Sequence, residues 1–451
     1  MIVMGLVHLM RTVKVVLLNS QNALVVMVVE LVRLLVIISL MMKHGDIVPP
    51  NRFRDDFAPL RKEDPVAYLD NACTTMRPDS VVDEINSYYT VTPGCAGRSP
   101  HRWGNSVTHK LVQSRGLISK FIGATTDEII FTLNSTFAIN QVAHGIKWEK
   151  DDVVLTTDKE HNSNLVPWLQ LENKGLIKHS FVHSNDDNTF DLEAFEEKCS
   201  TIGKNLRLVA VPQVSNLDGV TNPVKEITKI AHDYDAEILV DSAQGVPHNK
   251  VDVRQLDCDY LTFSLHKMLG PSGIGVLYGK EECLANLDTI SGGGKTVSNI
   301  SDHDVQFLKP PAKFEGGSSN YAGIIGAKAA VEYLQSVDFE WLRSHEVRLN
   351  EIITDGVKDI EEVSIIGPDS ARLRGGMTSI TVDDIDVYDL SIILDEAGSI
   401  MVRSGYHCVN SWFNSKDIAG GSLRTSVYLY NTEEEARQFV DLFEEAVNAL
   451  R

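Results

Sequence analysis

The sequence predicts an α/β fold, a mainly parallel sheet flanked by helices, followed by a smaller α+β C-terminal domain. Three observations predict it. Short apolar runs of strand length recur between polar segments, and helical stretches separate most of them, which is the pattern of a parallel sheet buried on both faces. At 451 residues with 43% hydrophobic content, the chain can bury a core large enough for two domains. After position 327 the order of elements changes to a new alternation of strands and helices.

The elements follow in chain order. Residues 1–42 are dominated by Val, Leu, Ile and Met. The stretch 23–42 is long enough to cross a bilayer but carries Glu30 and Arg33, each costing about 2.5–3.5 kcal/mol near a helix centre. Residues 1–50 are therefore read as an apolar extension of open status, first an upstream start-site artefact or dispensable segment, next an amphipathic or partner-binding helix and last a membrane anchor, with Met41 or Met42 a natural start for the folded protein. Positions 51–65 are polar, and 66–70 reads as a short strand leading into Asn71-Ala72-Cys73-Thr74-Thr75. A helix spans about 107–121, and strands follow at 128–132, 153–157, 206–211, 237–241, 260–264 and 273–278. Another helix begins near Ala327 and runs to about Leu349, and the last covers 432–450. The expected division is a large domain over 67–327 and a small one built from 51–66 with 328–451.

Composition excludes several functions. The net charge of −20 argues against a nucleic-acid binder, and residues 1–50 are net +2, so the acidity belongs to the globular part. Six cysteines without a CxxC pair match neither a disulfide scaffold nor a zinc ribbon, and a reducing cytoplasm fits them best. The run Gly292-Gly293-Gly294-Lys295-Thr296 fails as a P-loop because Thr289 stands where the first glycine belongs, and it reads as a flexible loop. Leu349 replaces the second histidine of a zinc-protease helix after His345-Glu346, and Tyr278 replaces the third glycine of a dinucleotide fingerprint. No metal and no nicotinamide cofactor are expected.

Two strand ends carry the chemistry. Asp241 closes 237–241 and is followed by Gln244; Ser264, His266 and Lys267 close 260–264. Ligands in such folds sit beyond the carboxyl ends of the strands, and a buried carboxylate and amine need compensating partners there. A pyridine aldehyde supplies both, since Asp241 can hold the ring nitrogen protonated while Lys267 bonds to the aldehyde carbon. A structural ion pair is the bland alternative. Asn134, Ser135 and Thr136 open a helix and suit a phosphate, although a plain cap reads the same way. His161 follows a strand and could lie flat on the ring, and Gln244 could donate to a ring hydroxyl. Cys408, with Arg403, Gly405 and His407 beside it, reads as an exposed thiol held toward its thiolate. Arg424 could bind a carboxylate in two parallel hydrogen bonds.

The ordered motifs YLDNA, EHNSNLVPW, VSNLDGVTNP, VDSAQ, FSLHKMLGPSGIG, FEGGSSNYAGIIG, VRSGYHC and SLRTSVYLYNTEEE run from position 68 to 435. From about Asn51 onward the chain resembles the class V, fold-type I pyridoxal phosphate enzymes, specifically the SufS-type group II cysteine desulfurases and their selenocysteine lyase relatives. The resemblance implies that Lys267 carries the cofactor, that Asp241 and Gln244 hold its ring, that His161 stacks on it and that Asn216 lies near its hydroxyl. Thr136, Ser264 and His266 would bind phosphate, with Ser318 supplied by the second subunit of a homodimer. Cys408 would accept sulfur from L-cysteine as a persulfide, Arg424 would anchor the substrate carboxylate, and Arg98 and Arg403 would lie near the substrate. A SufE-like or SufU-like acceptor, or an iron-sulfur scaffold, is the implied partner. The chain departs from the pattern at Asn134-Ser135, at Ser318, before Arg98 and after Cys408. Selenocysteine lysis, sulfinate cleavage and transamination remain alternatives on the same cofactor, and a non-catalytic sulfur-assembly protein is the alternative of another class.

Overall fold

The computed structural model describes residues 52–62 and 66–451, so the extension 1–50 and its apolar stretch lie outside the described residues. Among the described residues no helix is long and apolar enough to cross a membrane.

Seven strands form the main sheet: β1 (Ile129–Thr132), β2 (Val153–Thr157), β3 (Lys178–Val182), β4 (Leu206–Pro212), β5 (Glu237–Asp241), β6 (Tyr260–Ser264) and β7 (Gly275–Gly279). Their spatial order is β1-β7-β6-β5-β4-β2-β3, with β7 antiparallel to both neighbours and the other pairs parallel. The central runs are apolar throughout because both faces are covered. Val209, Val211, Ile238, Val240, Leu261 and Phe263 point into one core, while Leu208, Ala210, Leu239 and Tyr260 point into the other, following the two-residue period of a strand. The edge strand β3 escaped the sequence reading. It is Lys-His-Ser-Phe-Val, with only Val182 buried, and so lacks the apolar signature of its neighbours.

A second sheet is wholly antiparallel: β8 (Val363–Ile366), β9 (Met377–Val382), β10 (Arg403–Gly405) and β11 (Ser422–Ser426), in the order β8-β9-β11-β10. Its core unites Ile380 and Leu423 with Leu349 and Ile353 of helix Phe339–Val357, Leu390 and Ile393 of Val387–Gly398, and Phe439, Leu442 and Phe443 of Glu433–Leu450. The last helix starts on a capping box in which Thr432 and Glu435 satisfy each other's backbone amides.

The single helix expected from Ala327 to Leu349 is two, Tyr321–Gln335 and Phe339–Val357. The break falls at Ser336-Val337-Asp338, where the Asp338 carboxylate accepts from the Glu340 amide at 2.9 Å and starts the second helix. The glycine run expected to be a loop leads into a hairpin, Val297–Ile300 with Val305–Phe307.

The segment entering the main body also touches the second sheet. Ala67–Tyr68 pairs in parallel with Ile400–Met401, and the Ser426 amide donates to Leu69 O at 2.7 Å. This pins 70–75 at the end of β11. Thr75 N donates to His266 O at 2.9 Å and Leu269 N to Thr75 Oγ1 at 2.8 Å, which fixes the same loop to the turn after β6.

Candidate active site

A cavity of about 210 Å³ opens beyond the carboxyl ends of β4, β5 and β6, floored by Pro212, Asp241 and Ser264. The element order of the sheet explains the place, because parallel strands deliver their last residues and following turns to one edge. Of the residues singled out in the sequence, Ser135, Thr136, His161, Asn216, Asp241, Gln244, Ser264, His266, Lys267, Arg403, Cys408 and Arg424 line it. Arg98 and Ser318 do not: both are exposed, and Ser318 borders a separate hollow with Phe314 and Asn320.

At the floor the buried Asp241 carboxylate accepts the Ala243 amide at 3.0 Å. Burial raises its carboxyl above the usual range, and the hydrogen bond and Lys267 pull the other way. The Lys267 amine, on the short turn Leu265–Lys267, is lowered by burial, with Asp241 opposing. Gln244 Nε2 donates to Ala72 O at 2.7 Å, leaving Oε1 buried without a partner.

The first turn of helix Ser135–Gly145 also lines the cavity. Asn134 caps it by accepting from Phe137 N at 2.9 Å, and Ser264 Oγ accepts from the Ser135 amide at 2.9 Å and shares a hydrogen bond with the Ser135 hydroxyl at 2.9 Å. Thr136 Oγ1 meets Ser163 Oγ at 2.6 Å. Gly275 lets the strand run this close: a Cβ there would lie 2.5 Å from Asn134 Cα. Hydroxyls, a helix N-terminus and the His266 ring thus gather at one end of the cavity.

His161 Nδ1 accepts from the Ser163 amide at 3.0 Å. Burial, then the nearby Lys267 and Arg424 charges, push its pKa down to about 3, so the ring is neutral with its proton on Nε2. Just before it, Glu160 is buried and accepts from Thr157 and Asn164; burial raises its carboxyl to about 8.

Arg424 is buried on β11. Its Nη1 donates to Asn216 O at 2.8 Å, its Nη2 stands 3.5 Å from Asp70 Oδ1, and its Nε has no partner among the described residues. Burial lowers it, with Asp70 as the main opposing charge. Asn216, expected near the cofactor's hydroxyl, lines the cavity, and its Nδ2 donates to His407 O at 2.7 Å and holds the Cys408 loop. That loop is bent: His407 and Cys408 have φ of 48° and 60°, a region uncommon without glycine, and Cys408 O accepts from Asn162 N at 2.6 Å.

The expectation that Arg403 and His407 would favour the Cys408 thiolate is corrected. His407 is buried with Nε2 donating to Ser422 O at 3.0 Å, and burial drives its pKa down to about 2, so it offers no positive charge. Arg403 points instead to Cys73 Sγ at 3.1 Å and Asp70 Oδ2 at 3.7 Å. Cys73 also lines the cavity. It and Asp70 were missed as site residues, although both stand in the YLDNACTT run, the polar turn after a strand that could have marked them.

The cavity suits a phosphorylated pyridine aldehyde. Asp241 offers a buried carboxylate as a partner for a ring nitrogen, Lys267 offers an amine with no hydrogen-bond partner among the described residues, and the hydroxyl cluster at the helix N-terminus suits phosphate. The orphaned Gln244 Oε1 and Arg424 Nε are polar atoms that a bound group would satisfy. Among the described residues no group of His, Cys, Asp and Glu could hold a metal ion.

Comparison with known proteins agrees in scope. The aminotransferase class-V family model matches residues 67–439. A probable cysteine desulfurase of Halalkalibacterium halodurans is 37% identical over 82% of this chain and 90% of its own length. A cysteine desulfurase of Haloferax volcanii is 35% identical over 89% of this chain and 93% of its own. The apo structure of a cysteine desulfurase from Thermococcus onnurineus superimposes with a TM-score of 0.84 at 36% identity, covering 90% of this chain and all of that one.

Proposed function

The chain belongs to the aminotransferase class-V family, and on that premise we propose that it is a pyridoxal phosphate-dependent cysteine desulfurase converting L-cysteine to L-alanine. The observation that carries the reading is one cavity lined by Asp241, Lys267, His161, Arg424 and an exposed Cys408.

Bound there, pyridoxal phosphate supplies an electron sink for the substrate's α-carbon. Asp241 holds the ring-nitrogen proton, and Ser135, Thr136, Ser264 and His266 hold the phosphate. Lys267 would hold the cofactor through its amine and, with substrate bound, would take the α-proton, because burial disfavours its charged form and leaves the amine free to accept. Arg424 receives the substrate carboxylate with Arg403 beside it. His161, neutral, exchanges a proton through Nε2. The Cys408 thiolate attacks the substrate sulfur, the carbon–sulfur bond breaks, and the β-carbon takes a proton to leave as part of alanine while Cys408 keeps the sulfur as a persulfide.

The exposure of Cys408 supports handover to a second protein, a SufE-like or SufU-like acceptor or an iron-sulfur scaffold in the cytoplasm. The exposure of Ser318 outside the cavity supports a homodimer in which it serves the other subunit's phosphate site.

The test is a visible spectrum of the purified protein before and after L-cysteine, with sulfide and alanine measured in the same sample. A cofactor band that shifts, with both products formed, is the expected result. Lys267→Ala abolishes turnover; Cys408→Ser abolishes it while keeping the band. Cysteine-dependent turnover in the Cys408 variant would overturn the persulfide assignment, and no band after adding pyridoxal phosphate would overturn the site.

A further inference from the structure

Two thiols line the cavity, and the proposed reaction uses only one. Cys73 is half-buried in the turn after Asp70, with its amide donating to Asp70 O at 3.1 Å. Arg403 Nη1 donates to its sulfur at 3.1 Å, so a guanidinium is aimed at the atom that would bear negative charge in thiol exchange. Cys73 and Cys408 line the same cavity as Lys267. A cysteine serving only as a small apolar filler would sit in the core, as Cys199 and Cys258 do at 0% exposure.

We propose that Cys73 is a second sulfur-carrying residue of this site, taking sulfane sulfur from Cys408 by thiol exchange. The proposal rests on the reading of Cys408 as the persulfide residue. The Cys73 thiolate attacks the terminal sulfur of the Cys408 persulfide, a new S–S bond forms on Cys73, and the old one breaks with Cys408 leaving as thiolate. The terminal sulfur keeps its proton. One thiolate and one persulfide enter and one of each leaves, so neither oxidant nor reductant is needed.

The two loops suit an acceptor that stays and a donor that moves. The Cys73 turn is fastened to the strand-end turn by hydrogen bonds from Thr74 Oγ1 and Thr75 N to His266 O at 3.1 and 2.9 Å. The Cys408 loop follows Gly405 at φ 105° and holds His407 and Cys408 in the left-handed region, a conformation kept by the contacts to Asn216 and Asn162. Releasing those contacts lets Cys408 leave a disfavoured backbone conformation. With its sulfur passed inward, Cys408 is free for a second turnover before any acceptor docks.

The experiment uses the full chain loaded with pyridoxal phosphate and given L-cysteine without an acceptor protein. Samples are quenched over time with an alkylating agent that preserves persulfides, and peptides are mapped by mass while total sulfane sulfur is measured by cyanolysis. Sulfane sulfur appears first on Cys408 and then on Cys73, approaching two per chain; Cys73→Ala holds one, on Cys408; Cys408→Ser holds none on either. Sulfur on Cys408 alone in the unmodified chain overturns the relay and leaves the desulfurase reading standing. Sulfur on Cys73 in Cys408→Ser makes Cys73 an independent acceptor and also overturns the relay. Sulfur on neither cysteine overturns both readings.

Discussion

Glu160 and His161 are adjacent, and burial displaces them in opposite directions, the carboxyl up to about 8 and the imidazole down to about 3, so both are neutral at pH 7. The carboxyl has a ready use for its proton: Asn164 Oδ1 is buried without a partner and would accept it once the Asn164 amide turned over. A carboxyl raised in the folded state contributes stability that is whole below its unfolded pKa and is lost as pH rises through the folded value. Glu160→Gln, which cannot ionise, should therefore gain on the unmodified chain between about pH 5 and pH 8 and gain nothing more above that. The limiting slope is about 1.4 kcal/mol per pH unit. Urea melts of both proteins at pH 5.5, 7.5 and 9 check this, and a gap that does not change with pH defeats it. At this scale the sequence was legible in placing polar residues at strand ends, as for Asp241 and Lys267, which both line the cavity. It was not legible where the answer is a direction in space. Arg403 and His407 flank Cys408 in sequence yet point to Cys73 and Ser422.

Elements were legible in proportion to how evenly they are buried. β5 and β6 are covered on both faces and read as apolar runs, whereas β3 is mostly exposed and gave no signal. The break between helices Tyr321–Gln335 and Phe339–Val357 was also lost, because apolar periodicity continues on both sides of a three-residue cap. What the pattern could not give is how closely two elements approach. β7 passes the first turn of helix Ser135–Gly145 at a distance only Gly275 permits. Gly275→Ala places a methyl group 2.5 Å from Asn134 Cα, where backbone rather than a flexible side chain must give way. Overpacking of this kind costs about 1–3 kcal/mol, and here it displaces the hydroxyl and amide cluster proposed for phosphate. The expected outcome is a loss of roughly tenfold or more in affinity for pyridoxal phosphate, with secondary structure kept. A spectroscopic titration reads it, and unchanged affinity would show that the helix start is not the phosphate site.

Over the whole molecule, the question is what fastens the two sheets so that β11 and the β5–β6 edge can share one cavity. We propose a large body over 67–327 and a smaller one from 51–66 with 328–451, held by contacts distant in sequence. Ala67–Tyr68, at the start of the large body, crosses to pair with Ile400–Met401 of the smaller one, and within the smaller body Arg54 reaches the C-terminal helix across 381 positions. Such pairs have no local signature, which is why they are not legible in the sequence. Arg54 Nη1 donates to Glu435 Oε1 at 2.6 Å and to Tyr430 O at 3.1 Å, both buried. Glu435 is fully buried; desolvation raises its carboxyl, Arg54 opposes that rise most, and Oε2 accepts from Asn431 and Thr432. Removing one partner of a buried pair leaves an uncompensated charge and costs about 3–5 kcal/mol, more than the pair itself contributes over apolar residues of the same size. Arg54→Met should therefore lose about that much, read as a lower urea midpoint, while the cofactor's visible band is kept. Adding Glu435→Gln removes the stranded charge and still lets the side-chain oxygen serve the helix cap, so the double variant should regain most of the loss. If the double variant is no more stable than Arg54→Met alone, the cost lies in the Arg54 packing and its bond to Tyr430 O, and the ion pair is not what ties the 51–66 segment to the C-terminal helix.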